Sequence, residues 1–443
     1  MLPERVPVVE INKNNLNLLW PSLLIAIRRA QLISIDLELS GLGNRSGLTS
    51  KSFEDRYENI RKTTQTHSIF SIGISTFELK EISENPKRIE YDCQVFNILA
   101  WSEMNFTVEP EALIFLSGHH FDFNKLINEG LRYAKKGNDT LHILFEEILS
   151  CGVSLCFHNG LIDLMFIYQH FYEDLPTSSS AFLANLSDWF TPIEEENHMQ
   201  SLLLDSKYIA EYSERTSASF LEYIFRKYQR VNFEEFHHGK VYLDLEFPIN
   251  IQRSDDIEWI ECQLPMHFIN KEFHAESNAG SELCQSFANH GYCHNRMNGK
   301  CVKLHDVDLI LDAEEKKARK ERERRKRRYE KIKRISYTKE NLSLFYKTDE
   351  NELRTTEKNM LSNFTIRGSH RAGMDSFMTG FATLFPQRMT LFRTKKLDAA
   401  LAGRLPLAGK KFPLQIQKSA YANQSEKHVQ KWARIRAKRA AFN

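Results

Sequence analysis

Residues 32–39 read LISIDLEL. Apolar and polar side chains alternate and β-branched residues recur, the pattern of a strand with one face toward a core. In a strand, residues i and i+2 point to the same side, so Asp36 and Glu38 stand side by side. Two carboxylates placed this way repel each other, and a divalent cation is the usual relief. Taken alone, such a pair equally marks a solvated strand face.

Working outward, Leu16 to Arg29 reads as a helix leading into this strand. Its apolar run LNLLWPSLLIAI is broken by Asn17 and Pro21 and is too short to span a bilayer. It lacks the position and cleavage pattern of a signal peptide, so it reads as a core helix. Residues 68–77 (SIFSIGISTF) and 90–99 (EYDCQVFNIL) are further strands, spaced to form an antiparallel meander with the first. Helical patterns run over 109–117, 121–134 and 139–151, followed by the apolar strand VSLCFHN and a helix from Leu161 to Tyr172. After the short run LLLDSKY comes a helix over 207–229. Strands first, then helices interleaved with strands, indicate an α/β layer architecture of mixed pairing.

Past residue 232 this regularity fails. Residues 233–283 read as an inserted mixed region, 284–308 hold a cysteine cluster, 314–334 are strongly basic, and 335–364 form a polar linker. Apolar periodicity returns with SFMTGFATLF inside 365–400, and 401–443 reads as a basic tail whose end, WARIRAKRAAFN, is expected to be disordered. There is no internal repeat.

The 443 residues suit two to three domains, and 42% hydrophobic residues suffice for a sizeable core. A mean hydropathy of −0.46 shows that much of the chain lies outside it. Seven unevenly spread cysteines argue against a secreted disulfide framework and for a reducing compartment. Net charge is +2, but 314–334 alone carries 13 basic and 5 acidic residues, or +8, leaving −6 for the rest. The charge that attracts a polyanion is therefore local.

Two more stretches carry acids into apolar surroundings. In FHNGLIDLMFIYQHFY, Asn159 ends a strand and is placed to cap the next helix, while Asp163 lies in that helix's first turn. A helix N-terminus accommodates an acid well, so a structural cap explains Asp163 as readily as a site does. In GSHRAGMDSFMTG, His370 and Asp375 flank a glycine turn opening onto an apolar helix; a surface turn would also account for them. Together Asp36, Glu38, Asp163, Asp375 and His370 make four acids and a base. That is the set needed for two-metal phosphodiester cleavage, where paired cations hold the attacking and leaving oxygens and a base takes a proton from water.

At these residues the chain resembles the DEDD superfamily of 3′-exonucleases, in the branch of poly(A)-specific ribonuclease and the Ccr-associated deadenylases. The motifs stand here as DLELSGL, as HNGLIDL with DSKY at 205–208, and as HRAGMD, whose His-to-Asp order marks the histidine-dependent (DEDDh) subgroup. RYENIRKTTQTHSIFSIGISTF and FDFNKLINEGLRY are similar to family segments between them. The resemblance covers about residues 20–230 and 365–390, and it is nearest to nuclear members that carry a CCCH zinc finger. It implies a ribonuclease-H-like exonuclease fold, split into 1–232 and 365–400 by the insertion, with two Mg²⁺ ions at the active site. Asp36 would bridge both ions, Glu38 and Asp375 would complete the first shell, Asp163 would hold the second ion, and His370 would be the general base. Leu39 to Leu42 would line the terminal nucleotide's pocket, and Asp205 would be structural.

Cys284, Cys293, Cys301 and His305 give C-x8-C-x7-C-x3-H, a sound tetrahedral set for structural zinc in a module with little core of its own. Phe287, His290 and Tyr292 offer stacking faces for bases. KKARKERERRKRRYEKIKR has the composition of a solvated helix and reads as a nuclear import signal, an RNA backbone contact, or both. The expectation is a nuclear, magnesium-dependent 3′-to-5′ exoribonuclease trimming RNA 3′ ends and oligo(A) tails. The resemblance further implies small nuclear RNA maturation, in Cajal bodies or nuclear speckles. Expected partners are RNA 3′ ends and the import machinery, with no membrane. The alternatives are an RNA-binding scaffold with a silent nuclease fold and a general cytoplasmic mRNA deadenylase.

Overall fold

The computed structural model describes residues 4–135, 137, 139–190, 201–248, 256–270, 282–297, 299–337 and 371–442. Met1–Leu264 with Ile366–Asn443 form one compact unit, and Pro265–Thr365 a second.

The first unit is organised by a mixed sheet in the order β7-β6-β2-β3-β4-β1-β9. Its strands are β1 (Arg5–Ile11), β2 (Leu32–Leu39), β3 (Ile69–Glu84), β4 (Lys87–Ser102), β5 (Leu131–Tyr133), β6 (Ser154–Phe157), β7 (Leu203–Asp205), β8 (Tyr242–Glu246) and β9 (Ile257–Glu261). The expected antiparallel meander is β2-β3-β4, and β6 joins β2 in parallel. At 16 residues β4 is long enough to carry three parallel neighbours in series along its second edge: β8 beside 88–92, β1 beside 95–98 and β5 beside 100–102.

Helices used below are α1 (Leu16–Arg29), α2 (Phe53–Thr66), α3 (Pro110–Gly118), α4 (Thr140–Cys151), α5 (Leu161–Ile167), α6 (Leu221–His237), α7 (Val307–Tyr337), α8 (Ala372–Leu384) and α9 (Glu426–Phe442). α1 buries Leu19, Leu23, Ala26 and Ile27 along one stripe, as a core-facing amphipathic helix should. α8 is buried on every side, packed between the sheet and α6. Its polar residues are Asp375 and the small Ser376, Thr379 and Thr383, set among Met, Phe, Ala, Gly and Leu, so burial on every side costs little.

Four expectations change. The stretch 233–283 is not all inserted material, because YLDLE and IEWIE within it are β8 and β9 of the central sheet, and the first unit runs on to Leu264. Both are five-residue strands among polar residues; YLDLE alternates only from Leu243 on and IEWIE does not alternate, so neither carries a clear period of two. The helix expected over 121–134 is Phe123–Glu129, after which Gly130 releases the chain into β5. The helix expected over 207–229 breaks after a π turn at Ile209–Ser213 and restarts as α6. Finally, WARIRAKRAAFN is helical through Phe442 rather than disordered, and 401–443 is more than a basic tail. It holds a two-stranded ladder, 404–405 with 414–415, and α9, whose Trp432 and Ile435 enter the main core. His428, fully buried, lies 2.8 Å from the Tyr172 hydroxyl and 3.0 Å from Asp188. The buried stripe His428, Trp432, Ile435, Arg439 follows helical spacing beneath a basic composition.

In the second unit the basic run lies on α7 with exposed side chains through Glu330, as a solvated charged helix requires. The 335–364 linker lies outside the described residues beyond Tyr337. Among the described residues no helix is long and apolar enough to cross a membrane.

One buried titratable group sets an acid limit on the first unit. His170, in a π turn at Tyr168–Tyr172, is buried with Nε2 3.0 Å from the Thr64 carbonyl oxygen, and burial pushes its pKa down from 6.5 to about 4. With the folded value below the unfolded one, its stabilising share is whole above about pH 6.5 and is lost as pH falls toward 4. Urea unfolding should therefore show the wild type losing about 2 kcal/mol between pH 7 and pH 5 that His170→Gln does not lose.

Candidate active site

The sheet face bearing Asp36 and Glu38 is assembled across strands. Cross-strand register places Asp36 opposite Gly73 and Glu38 opposite Ser71, and Asn97 of β4 lies opposite Gly73 in turn. An irregularity after Glu38 ends the regular pairing there.

Gly73 determines what can cover that face. A Cβ built on it would lie 1.7 Å from the Ala372 carbonyl oxygen, so only glycine lets the start of α8 settle onto the sheet. The Gly373 N–H donates to Asn97 Oδ1 at 3.1 Å, Ser71 donates to the same oxygen at 3.0 Å, and the Ser75 and Ser376 hydroxyls meet at 2.7 Å. At Gly380 an added Cβ would lie 2.0 Å from the Phe77 ring, so the next turn is equally close. So docked, the first turn of α8 brings Asp375 to the strand acids. One carboxylate oxygen each from Asp36, Glu38 and Asp375 lies within 4.8 Å of the others.

Asp163 arrives from the other side. Parallel pairing of β6 with β2 stops at Ser34, and the Leu37 backbone N–H is directed at the Asp163 carboxylate. Asn159 does not cap α5 as expected; it adopts a left-handed φ of +61°, and the N-cap is Gly160 without a side-chain bond. Asp205 does the holding. Fully buried, its carboxylate accepts from the backbone N–H groups of Gly160 (2.9 Å), Lys207 (2.9 Å) and Tyr208 (3.0 Å), and from Asn159. It thus clamps the start of α5 to the end of β7, the structural role expected of it.

The electrostatics report a concentration of negative charge. Burial, then the charges of Asp375, Asp163 and Glu38, hold the Asp36 carboxyl well above its ordinary value. Glu38, 7% exposed, is raised by burial, Asp375 and Asp163. Asp163 is pushed to about 7 by burial first and by Asp205's charge, against the pull of its own N–H and that of Leu37. An all-oxygen donor set under this repulsion is what a hard divalent cation fits. His370 lies outside the described residues; Arg371, the next residue, ion-pairs with Glu258 of β9.

The sequence-based reading missed Gly73, Asn97 and Ser376. A glycine in the middle of an apolar strand was the visible signal for close backbone approach; nothing local marks Asn97 or Ser376.

In the second unit, ligand atoms of Cys284, Cys293, Cys301 and His305 also lie within 4.8 Å of one another. A bridge between Leu283 and Leu304, with Cys284 N–H donating to Leu304 O at 3.0 Å, brings the two ends of the module together. Among the described residues, His305 Nε2 is buried without a hydrogen-bond partner, which suits a metal ligand. Phe287 is not a free stacking face, being 8% exposed and edge-on to His305 at 5.3 Å; Tyr292 and His290 are exposed.

A mixed α/β sheet with two acids on β2 and a third brought to them by α8 defines the class of this protein. The model of the CAF1 family of ribonucleases matches residues 11–142 and 136–383, and the chain belongs to that family. It is 26% identical over 138 residues to the poly(A)-specific ribonuclease PARN of Danio rerio, covering 28% of this chain and 20% of that one. It is 25% identical over 119 residues to the pre-piRNA 3′-exonuclease trimmer of Bombyx mori, covering 26% and 22%. The chain thus spans about a fifth of the length of these relatives. S. pombe Pop2p, in its Mg²⁺ and Mn²⁺ bound form, aligns over 51% of this chain and 82% of its own with a TM-score of 0.38 and 16% identity.

Two outcomes follow from this geometry. Gly73→Ala should cost about 1–3 kcal/mol by overpacking and weaken Mn²⁺ binding in calorimetry by displacing Asp375. Gly118→Ala, where an added Cβ meets nothing within 4 Å, should change neither. In the second unit, purified wild type should carry stoichiometric zinc by elemental analysis, and Cys301→Ser should lose it and become protease-sensitive within 282–305.

Proposed function

We propose that this chain is a nuclear, divalent-metal-dependent 3′-to-5′ exoribonuclease that shortens RNA 3′ ends, oligo(A) tails included, and releases 5′-mononucleotides. The observation that carries this is the convergence of Asp36, Glu38 and Asp375 within 4.8 Å in a chain of the CAF1 ribonuclease family. Its similarity to a poly(A)-specific ribonuclease and to a pre-piRNA 3′-exonuclease supports the choice of a 3′ end.

Asp36, Glu38 and Asp375 would hold one Mg²⁺ ion, and Asp163 would hold a second together with Asp36. Bound there, such ions supply charge for the attacking and leaving oxygens of an in-line displacement. The chain's own part is to hold the carboxylates ready: Leu37 and Asp205 orient Asp163, while Gly73 and Asn97 seat the turn that carries Asp375. His370, five residues before Asp375, would take the proton from the attacking water.

The Cys284, Cys293, Cys301, His305 cluster would hold structural zinc, as nuclear CCCH-finger members of the family would. The +8 charge of 314–334 supports nuclear import and contact with the RNA backbone upstream of the 3′ end. Short-tailed small nuclear RNA is the substrate that the likeness to those members favours.

Incubating 5′-labelled RNAs ending in oligo(A), oligo(U) or mixed sequence with Mg²⁺ tests this reading. Wild type should give stepwise 3′ shortening, and His370→Ala should slow it about 10²–10⁴-fold. Asp36→Asn should abolish it. Intact RNA with wild type, binding retained, would replace the enzyme by an RNA-binding scaffold.

A further inference from the structure

The chain immediately after Glu38 is secured by a residue that no motif marks. The Ser40 N–H donates to Ser68 O at 2.9 Å and the Ser40 hydroxyl to Thr107 O at 2.7 Å, while the Ser68 N–H donates back to that hydroxyl at 2.9 Å. Glu109, the N-cap residue of α3, closes the network. Its N–H donates to Ser40 O at 2.9 Å, and its carboxylate accepts from the N–H groups of both Leu42 (3.2 Å) and Gly43 (2.7 Å). His67 Nε2 lies 3.3 Å from the same carboxylate.

The fit is close. A Cβ on Gly41 would lie 2.6 Å from Glu109 Cγ and Cδ and 2.7 Å from His67 Cδ2, so the Glu109 stem fills the space beneath the strap 41–43. Gly43 completes the turn with φ +73°. Because the Leu42 and Gly43 N–H groups are spent on a carboxylate, they make no anion nest for phosphate. What it offers outward is Leu42, a large apolar side chain 42% exposed, four residues beyond Glu38.

A glycine-containing strap left free would have to be ordered each time substrate arrived, and that entropy opposes binding. We infer that Glu109 is a positioning residue: it holds the strap in advance, so that Leu42 stands ready against the base of the nucleotide whose phosphodiester reaches the acid cluster. This rests on the exoribonuclease reading. Hydrogen bonds to a charged acceptor are worth enough to matter here, and their effect should appear in binding of the RNA end rather than in the chemical step.

Steady-state cleavage of 5′-labelled oligo(A) by the full chain with Mg²⁺ is the test, comparing wild type, Glu109→Ala, Glu109→Gln, Leu42→Ala and the Glu109→Ala/Leu42→Ala double variant. Glu109→Ala should raise KM about ten-fold with kcat within about two-fold. Glu109→Gln, which keeps one acceptor, should recover part of the loss. On the Leu42→Ala background Glu109→Ala should add little, since both act through one contact. Mn²⁺ affinity should stay at the wild-type value. If Glu109→Ala fails to fold, Glu109→Gln carries the same comparison with a smaller rise in KM.

An active wild type whose KM is unchanged by these substitutions, or additive losses in the double variant, would overturn this inference alone. So would Mn²⁺ affinity falling in step with KM. An inactive wild type would overturn the exoribonuclease reading and this inference with it.

Discussion

The seating of a helix on a glycine is the contact on which the first unit depends. Without a side chain on Gly73, the backbone at Ala372 reaches the sheet, and Asn97 and Ser75 can hold Gly373 and Ser376 by hydrogen bonds. α8 is then buried on all sides, central to the core and the bearer of Asp375. Packing and chemistry therefore share one element. A contact between residues 73 and 372, nearly three hundred positions apart, decides both, and a single methyl group at residue 73 would oppose both.

The same arrangement carries an electrostatic cost. Asp36, Glu38 and Asp163 are all pushed toward their neutral forms by burial first and then by neighbouring carboxylates, Asp375 and Asp163 acting on the strand pair and Asp205 on Asp163. Repulsion of this kind destabilises a site that stays dry and cation-free, and a divalent cation reverses its sign. Asp205, whose charge acts on Asp163, is the counterexample. It too is buried, with its carboxyl raised to about 6, but four backbone N–H groups satisfy it, and its work is to clamp two chain segments rather than to bind an ion. Number of acids alone does not separate a ligand from a clamp; their hydrogen-bond partners do.

Some of the architecture was legible because it is local. The period-two alternation of LISIDLEL marks β2 and places Asp36 beside Glu38 whatever surrounds them, and the β2-β3-β4 meander follows from short spacings. The errors lie where periodicity is weak or masked by composition. β8 and β9 are five-residue strands among polar neighbours, and α9 hides a buried stripe of His428, Trp432, Ile435 and Arg439 under a basic surface. Asn159 was read as a cap because cap preferences are local, whereas the bonds at the start of α5 come from Asp205, forty-five residues on.

By itself the sequence determined which side chains were available and which pairs share a strand face or a helical turn, since those follow from the two periodicities of the backbone. It also determined the zinc-type ligand set, whose spacing is short enough for one module to close on itself. Only the tertiary structure decided that Asp375 meets Asp36 and Glu38, that Asp163 is held by Leu37 and Asp205, and that Glu109 secures the strap after Glu38. These are contacts between residues tens to hundreds of positions apart. They depend on how closely two backbones can approach, a property set by the side chain missing at Gly73 and not by any pattern among the residues that carry the chemistry.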